Sequence, residues 1–157
     1  MKIIVDAMGG DNAPLEIVRG ALNAARARRD WEILLVGREA DVRLAVSQCG
    51  GAPGNVHLVN ATEVIDMHDD PATAFKTKKD SSITVGLTML KNGEGDAFVS
   101  AGSTGALLSA GTLLVKRVRG IRRAAMGPVI PTAGGQAGLI DCGANAECTV
   151  GYLMQFA

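Results

Sequence analysis

The chain has 157 residues, 47% of them hydrophobic, and its 16 basic and 16 acidic side chains give a formal net charge of zero. This length and composition fit one globular domain, whereas zero net charge and only 3% aromatic residues argue against a nucleic-acid-binding protein. No apolar run approaches the roughly 20 residues of a membrane span. The three cysteines have no metal-binding spacing and indicate reduced thiols in a cytoplasmic protein.

Strands and helices alternate along most of the chain. Short apolar runs predict strands over residues 2–6, 32–36, 56–59, 97–100, 126–131 and 138–141. Apolar residues at helical spacing predict helices over residues 14–29, 39–49, 83–91, 104–118 and 147–157, with a short helix near 72–78. This alternation predicts an α/β fold with a mostly parallel sheet and helices on both faces.

The first predicted strand ends in a carboxylate and a glycine pair. Asp6 closes the strand, Gly9 and Gly10 permit a tight turn and close approach of a ligand, and Asp11 follows. Ligands bind at this edge of open α/β sheets, so we expect Asp6 to belong to a site. Asp11 is either a site residue or, together with Asn12, the cap of the next helix.

A second glycine turn follows the strand at residues 97–100. Gly102, Ser103, Thr104 and Gly105 open the next predicted helix, where free backbone N–H groups and hydroxyl donors can bind an anion. A plain capped loop is the structural alternative. The motif is neither a phosphate-binding Walker loop nor a dinucleotide fingerprint.

Two further segments carry candidate site residues. Lys78 and Lys79 precede Ser81 and Ser82, and this cluster could neutralise phosphate or form a solvated loop before a helix capped by either serine. The other segment supplies three candidates that we expect at the same sheet edge, and the structural alternative is a turn in which the last of them is a helix N-cap. The three are Asp141, Gly143 and Asn145. Between them, Cys142 is expected to be a buried, inert thiol rather than a nucleophile.

Two charged runs have weaker functional interpretations. Five basic residues surround Gly120 between positions 116 and 123, and they form either a charged helix end or a docking surface for an acidic carrier protein or anionic headgroups. Residues 66–70 contain Asp and His donors, but their spacing fits no established metal site and favours a solvated loop.

Four segments in order, residues 5–14, 78–82, 100–107 and 141–145, resemble the bacterial phosphate acyltransferases called PlsX, and the resemblance covers the whole chain. That family often has asparagine at position 103, where this chain has serine. The resemblance implies a Rossmann-like three-layer α/β/α sandwich in a protein about twice this length, with residues 1–157 forming one domain at its N-terminal end.

The resemblance also implies a reaction, in which acyl-ACP and inorganic phosphate give acyl phosphate and free acyl carrier protein (ACP) for phospholipid synthesis. Phosphate would lie at Gly102–Gly105, with Lys78, Lys79, Asp6 and Asn145 as catalytic candidates. No metal or organic cofactor is implied. Further implications are a homodimer, peripheral membrane contact and a downstream membrane acyltransferase. The alternatives are a phosphotransacetylase-like or dehydrogenase-like enzyme of the same fold, and a non-catalytic anion-binding module.

Overall fold

A computed structural model describes all 157 residues, which group into two compact units, Met1–Val115 (the first unit) and Lys116–Ala157 (the second unit). The strands are β1 (Lys2–Asp6), β2 (Glu32–Gly37), β3 (Val56–Asn60), β4 (Ala97–Val99), β5 (Val129–Thr132) and β6 (Gly135–Gly138). The helices are α1 (Leu15–Ala27), α2 (Glu39–Gln48), α3 (Ala74–Thr77), α4 (Ser82–Lys91), α5 (Thr104–Ala110) and α6 (Val150–Phe156). The expectation of a single domain stays a prediction.

The first unit contains a four-stranded sheet with the order β3-β2-β1-β4, in which every pairing is parallel. Asp6 of β1 lies opposite Val36 of β2, and Val5 lies opposite Val99 of β4. From β1 the chain builds β2 and β3 on one side and then returns to place β4 on the other. The loops after β1 and β4 therefore diverge at a topological switch point.

Helices cover both faces of this sheet, which confirms the predicted α/β class. On one face, Leu22 of α1 is fully buried in a cluster with Leu35 of β2. On the other face, Ile4 of β1 is buried in a cluster that Met89 of α4 joins. Burying each such side chain contributes about 1.5–3 kcal/mol. This packing fixes the ends of β1 and β4, from which the loops at the switch point begin.

The second unit contains two further strands, as predicted, but at shifted positions and outside the parallel sheet. Strands β5 and β6 pair antiparallel in a separate two-stranded sheet, and only Ala133 and Gly134 connect them. A two-residue connection can close a hairpin, whereas a parallel pair needs a long crossover. The second strand also begins and ends earlier than predicted, at Gly135 and Gly138, and Asp141 lies beyond it.

Two helices differ from their predictions in how they begin or end. α5 gives way after Ala110 to a π-helical turn, Gly111–Val115, so the helical run ends three residues early. α1 begins after Pro14 without a side-chain cap, so the prediction of a cap at Asp11 or Asn12 is wrong. No helix in the structure is long and apolar enough to cross a membrane.

Candidate functional site

A cleft of about 270 Å³ opens at the carboxyl ends of β1 and β4. Its walls come from the loop after β1, the loop after β4 and the segment between β3 and α3. The lining residues are Met8, Gly10, Asp11, Val64, Ile65, Asp66, Met67, His68, Ala101, Gly102 and Ser103. The cleft thus lies at the topological switch point, where open α/β sheets bind ligands.

A buried carboxylate joins the two glycine turns beneath this cleft. Asp6 is completely buried at the end of β1. Its Oδ1 accepts the N–H of Met8 at 3.1 Å, and its Oδ2 accepts the hydroxyl of Ser100 at 2.7 Å. Ser100 Oγ in turn accepts the N–H of Gly102 at 3.1 Å. Both carboxylate oxygens therefore have donors, as a buried charged group requires.

Glycines allow the two turns to touch backbone to backbone. A Cβ at Gly9 would lie 2.5 Å from Asp6 Oδ2 and 2.7 Å from Gly102 N, so no side chain fits there. Gly10 has φ of +111°, a conformation that L-residues rarely adopt. The turn after β1 can therefore approach the turn after β4 this closely only with glycines at these positions. The site role predicted for the pair stays a prediction.

The start of α5 presents unpaired backbone donors. The N–H groups of Ser103, Thr104 and Gly105 have no acceptor in the protein. Ser103 is buried and caps the helix, with its Oγ accepting the N–H of Ala106 at 3.4 Å. That bond leaves the proton of its hydroxyl free to donate. This segment can therefore offer several donors to an anion without any metal or cationic side chain.

An ion pair holds the third wall of the cleft. Lys78 Nζ donates to the carbonyl oxygen of Val64 at 2.8 Å and to Asp69 Oδ2 at 2.5 Å. The bond from Lys78 holds the pKa of Asp69 below its ordinary value, and the N–H of Asp66 acts in the same direction. Lys78 is therefore engaged in fixing this segment, while Lys79 is exposed and makes no ion pair or side-chain hydrogen bond.

The two serines that follow Lys78 and Lys79 contribute to the structure of the segment and not to the cleft lining. Ser81 and Ser82 are both buried, and Ser81 caps α4 by accepting the N–H of Thr84 at 3.3 Å, as one of the two alternatives predicted. The preceding Asp80 accepts the N–H and hydroxyl of Thr62, which lowers its pKa. These bonds tie the end of the long segment between β3 and α4 back to its beginning.

The remaining candidates lie in the second unit. Asp141 accepts the N–H of Met126 at 2.8 Å and both the backbone and side-chain N–H groups of Asn145, and the Met126 bond is the largest cause of its lowered pKa. Asn145 is therefore not a helix cap, since Thr149 caps α6. Gly143 has φ of +82° in the turn between them. The expectation that Cys142 is buried is wrong, because its side chain is exposed.

Sequence reasoning missed one hydrogen bond next to the cleft and part of the cleft lining. Ser100 belongs to the segment 100–107, but nothing in its local pattern shows that its hydroxyl bonds Asp6, 94 residues away. Residues 66–68 belong to the stretch 66–70 that is predicted to be a solvated loop, yet together with Val64 and Ile65 they line the cleft. The ionisable side chains of the lining are Asp11, Asp66 and His68, with no lysine or arginine among them. An anion bound here would therefore depend on backbone donors.

Comparison with known proteins places this fold in a family. The model of the family described as fatty acid synthesis protein matches residues 1–157. This chain belongs to that family. A phosphate acyltransferase from Caldanaerobacter subterraneus is 45% identical over 157 residues, and one from Lactococcus lactis is 47% identical over 158. Each match covers all of this chain and 46% of the relative, so the chain spans about half the length of these members of the fatty acid synthesis protein family.

A solved structure supports the fold assignment independently. The phosphotransacetylase from Streptococcus pyogenes superposes with a TM-score of 0.70 and 21% sequence identity, covering 99% of this chain and 51% of that one. At this identity the likeness concerns the fold alone. It agrees with the Rossmann-like architecture expected for this member of the fatty acid synthesis protein family.

Proposed function

We propose that this chain carries the phosphate-binding part of an acyl-ACP:phosphate acyltransferase. The observation that supports this most directly is the cleft at the switch point, which Gly102 and Ser103 line. The unpaired N–H groups of Ser103, Thr104 and Gly105 lie in the same turn. The names of the curated relatives supply the reaction type. The predicted sites at Gly102–Gly105 and at Asp6 are part of this proposal.

The chemistry needs few protein groups, because phosphate is already nucleophilic at neutral pH. A phosphate oxygen attacks the thioester carbonyl carbon, the carbon–sulfur bond breaks, and the ACP thiolate leaves and takes a proton from water. The protein holds phosphate beside the carbonyl and supplies hydrogen-bond donors to developing negative charge. Lys79, which has no bonded partner, is the candidate for additional positive charge, while Lys78 holds the cleft wall.

The remaining roles follow from the same proposal. Acyl-ACP and inorganic phosphate are the substrates, and the exposed basic residues at 116–123 are the surface offered to the acidic carrier. Asp141, Gly143 and Asn145 form a second candidate segment, whose contribution requires its own variants. In this proposal the protein is a cytoplasmic homodimer that contacts the membrane peripherally. It passes its product to a membrane acyltransferase.

The decisive experiment incubates the chain with palmitoyl-ACP and inorganic phosphate and traps acyl phosphate as its hydroxamate. Phosphate-dependent hydroxamate supports the transferase. Product from acyl-CoA in place of acyl-ACP would favour a phosphotransacetylase, and binding of phosphate without turnover would favour a non-catalytic anion-binding module. Nicotinamide-dependent absorbance changes would reveal a dehydrogenase.

Replacing Gly102 with valine tests the phosphate site itself. A Cβ at this position would lie 3.2 Å from Gly9 Cα and 3.3 Å from Ser100 Oγ, so the branched side chain must push the two turns apart. We expect phosphate-dependent turnover to fall by at least about 100-fold, with the circular dichroism spectrum retained. The matched control is Gly54→Val, whose Cβ meets nothing within 4 Å. Normal turnover in Gly102→Val would remove this turn from the site.

A further inference from the structure

Ser100 occupies a position that its sequence motif does not explain. It lies just beyond β4, next to β1 in the sheet, and is the one side chain that bonds both the Asp6 carboxylate and the turn before α5. The Asp6–Ser100 bond spans 94 residues of sequence. It therefore links the turn after β1 to the turn after β4, two segments that lie far apart in the sequence.

The direction of these bonds follows from donor and acceptor chemistry. The N–H of Gly102 can only donate, so Ser100 Oγ must be its acceptor. The single hydroxyl proton is then directed to Asp6 Oδ2 at 2.7 Å. A bond to an ionised carboxylate is shorter and stronger than one between neutral groups. The buried charge of Asp6 thus orients Ser100, and Ser100 orients the Gly102 amide.

Three backbone N–H groups of this turn remain free to bind a ligand. The Gly102 N–H is already used by Ser100, whereas those of Ser103, Thr104 and Gly105 have no acceptor. Anchoring one amide fixes the peptide that precedes the three free ones. We propose that Ser100 is a positioning residue that sets the affinity of the cleft for phosphate by holding this turn, without itself touching phosphate. The inference rests on the phosphate site of the proposed function.

The test compares Ser100→Ala and Ser100→Thr in the full chain. Alanine removes both bonds, while threonine keeps a hydroxyl that can donate and accept. Inorganic phosphate is titrated into the ¹⁵N-labelled protein while the amide resonances of Gly102–Gly105 are followed, and hydrogen exchange of the Gly102 amide, which Ser100 bonds, is measured without phosphate. We expect Ser100→Ala to bind phosphate about tenfold more weakly or worse and to exchange the Gly102 amide faster. Ser100→Thr should restore most of both properties.

A second variant separates positioning from general destabilisation. Asn55 donates to the carbonyl oxygens of Ala25 and Trp31 just before β3, at the opposite edge of the sheet. Asn55→Ala should lower the melting temperature while leaving phosphate affinity unchanged. Equal weakening in Asn55→Ala and Ser100→Ala would overturn the inference, as would wild-type affinity in Ser100→Ala.

The two proposals can fail separately. If the wild-type chain bound no phosphate, the proposed phosphate site would fall. The exchange rates without phosphate would still decide whether Ser100 holds the turn, because unchanged rates in Ser100→Ala would contradict that role. If the wild type bound phosphate and Ser100→Ala bound it equally well, only the inference would fall.

Discussion

At the scale of single residues, the cleft separates groups that hold the structure from groups left free. Lys78 was expected to act on phosphate, yet its ammonium bonds Asp69 and the carbonyl oxygen of Val64. Asp6 likewise has both oxygens occupied. The free donors are backbone N–H groups, which occur at every residue except proline and therefore leave no signature in residue identity. Sequence alone therefore predicted free N–H groups at this turn from its place before a helix, but not which of them stay unpaired.

Removing the Lys78 ammonium should weaken the protein in a pH-dependent way. The bond with Lys78 lowers the pKa of Asp69 from its ordinary value of 3.8. A carboxyl whose pKa is lower in the folded state contributes stability that is fully present above its unfolded pKa. That contribution is lost as the pH falls through the folded value. The gap in stability between wild type and Lys78→Met should therefore be constant near neutral pH and shrink below about pH 3.8.

Urea unfolding at a series of pH values measures this gap. Lys91→Met is the control, because Lys91 is exposed and forms no ion pair, so its effect on stability should be small at every pH. Other aspartates with lowered pKa values, such as Asp80, titrate equally in both proteins and cancel in the difference. A gap that persists unchanged at low pH would show that Lys78 contributes through packing of its aliphatic stem instead.

At the scale of helices and strands, the sequence predicted most of the first unit. Apolar periodicity located β1 to β4 and the four longer helices because each buries a regular face. The cap at Ser81 was also foreseen, since serine before an apolar run is a helix-start signal. The hairpin was missed although Gly134 and Gly135 mark a tight turn, because its strands are exposed and lack apolar alternation. The distant pairing of Asp6 with Ser100 has no local signal at all.

Glycines within helix α1 and after helix α4 should respond oppositely to alanine. Gly20 lies inside α1 with open space around its Cβ position, and its φ is not positive. Gly20→Ala should stabilise the protein by about 0.5–1 kcal/mol, because alanine loses less backbone freedom on folding. Gly93 is equally uncrowded but has φ of +78°, so Gly93→Ala should destabilise by about 1–2 kcal/mol. Chemical denaturation of both variants checks the pair, and a same-sign change would contradict the conformational argument.

At the scale of the whole molecule, charge is distributed unevenly despite a net charge of zero. The second unit carries five basic residues in positions 116–123 and only two acidic ones, Asp141 and Glu147. None of these five cations forms an ion pair, whereas several arginines of the first unit pair with neighbouring carboxylates, as Arg19 does with Glu16. Unpaired positive charge on one unit is a feature that attracts an acidic macromolecule rather than one that stabilises the fold.

Reversing charge in this segment should therefore affect carrier binding and leave phosphate binding intact. Arg119 and Arg122 are both exposed, so the double variant Arg119→Glu/Arg122→Glu should fold almost as the wild type does. We expect the KM for acyl-ACP to rise by about tenfold at low ionic strength. The effect should diminish as added salt screens the charges. Arg29→Glu is the matched control, because Arg29 is an exposed cation of the first unit without an ion pair. If Arg29→Glu raised the KM equally, the attraction would depend on overall charge, and the basic segment would not be a docking surface.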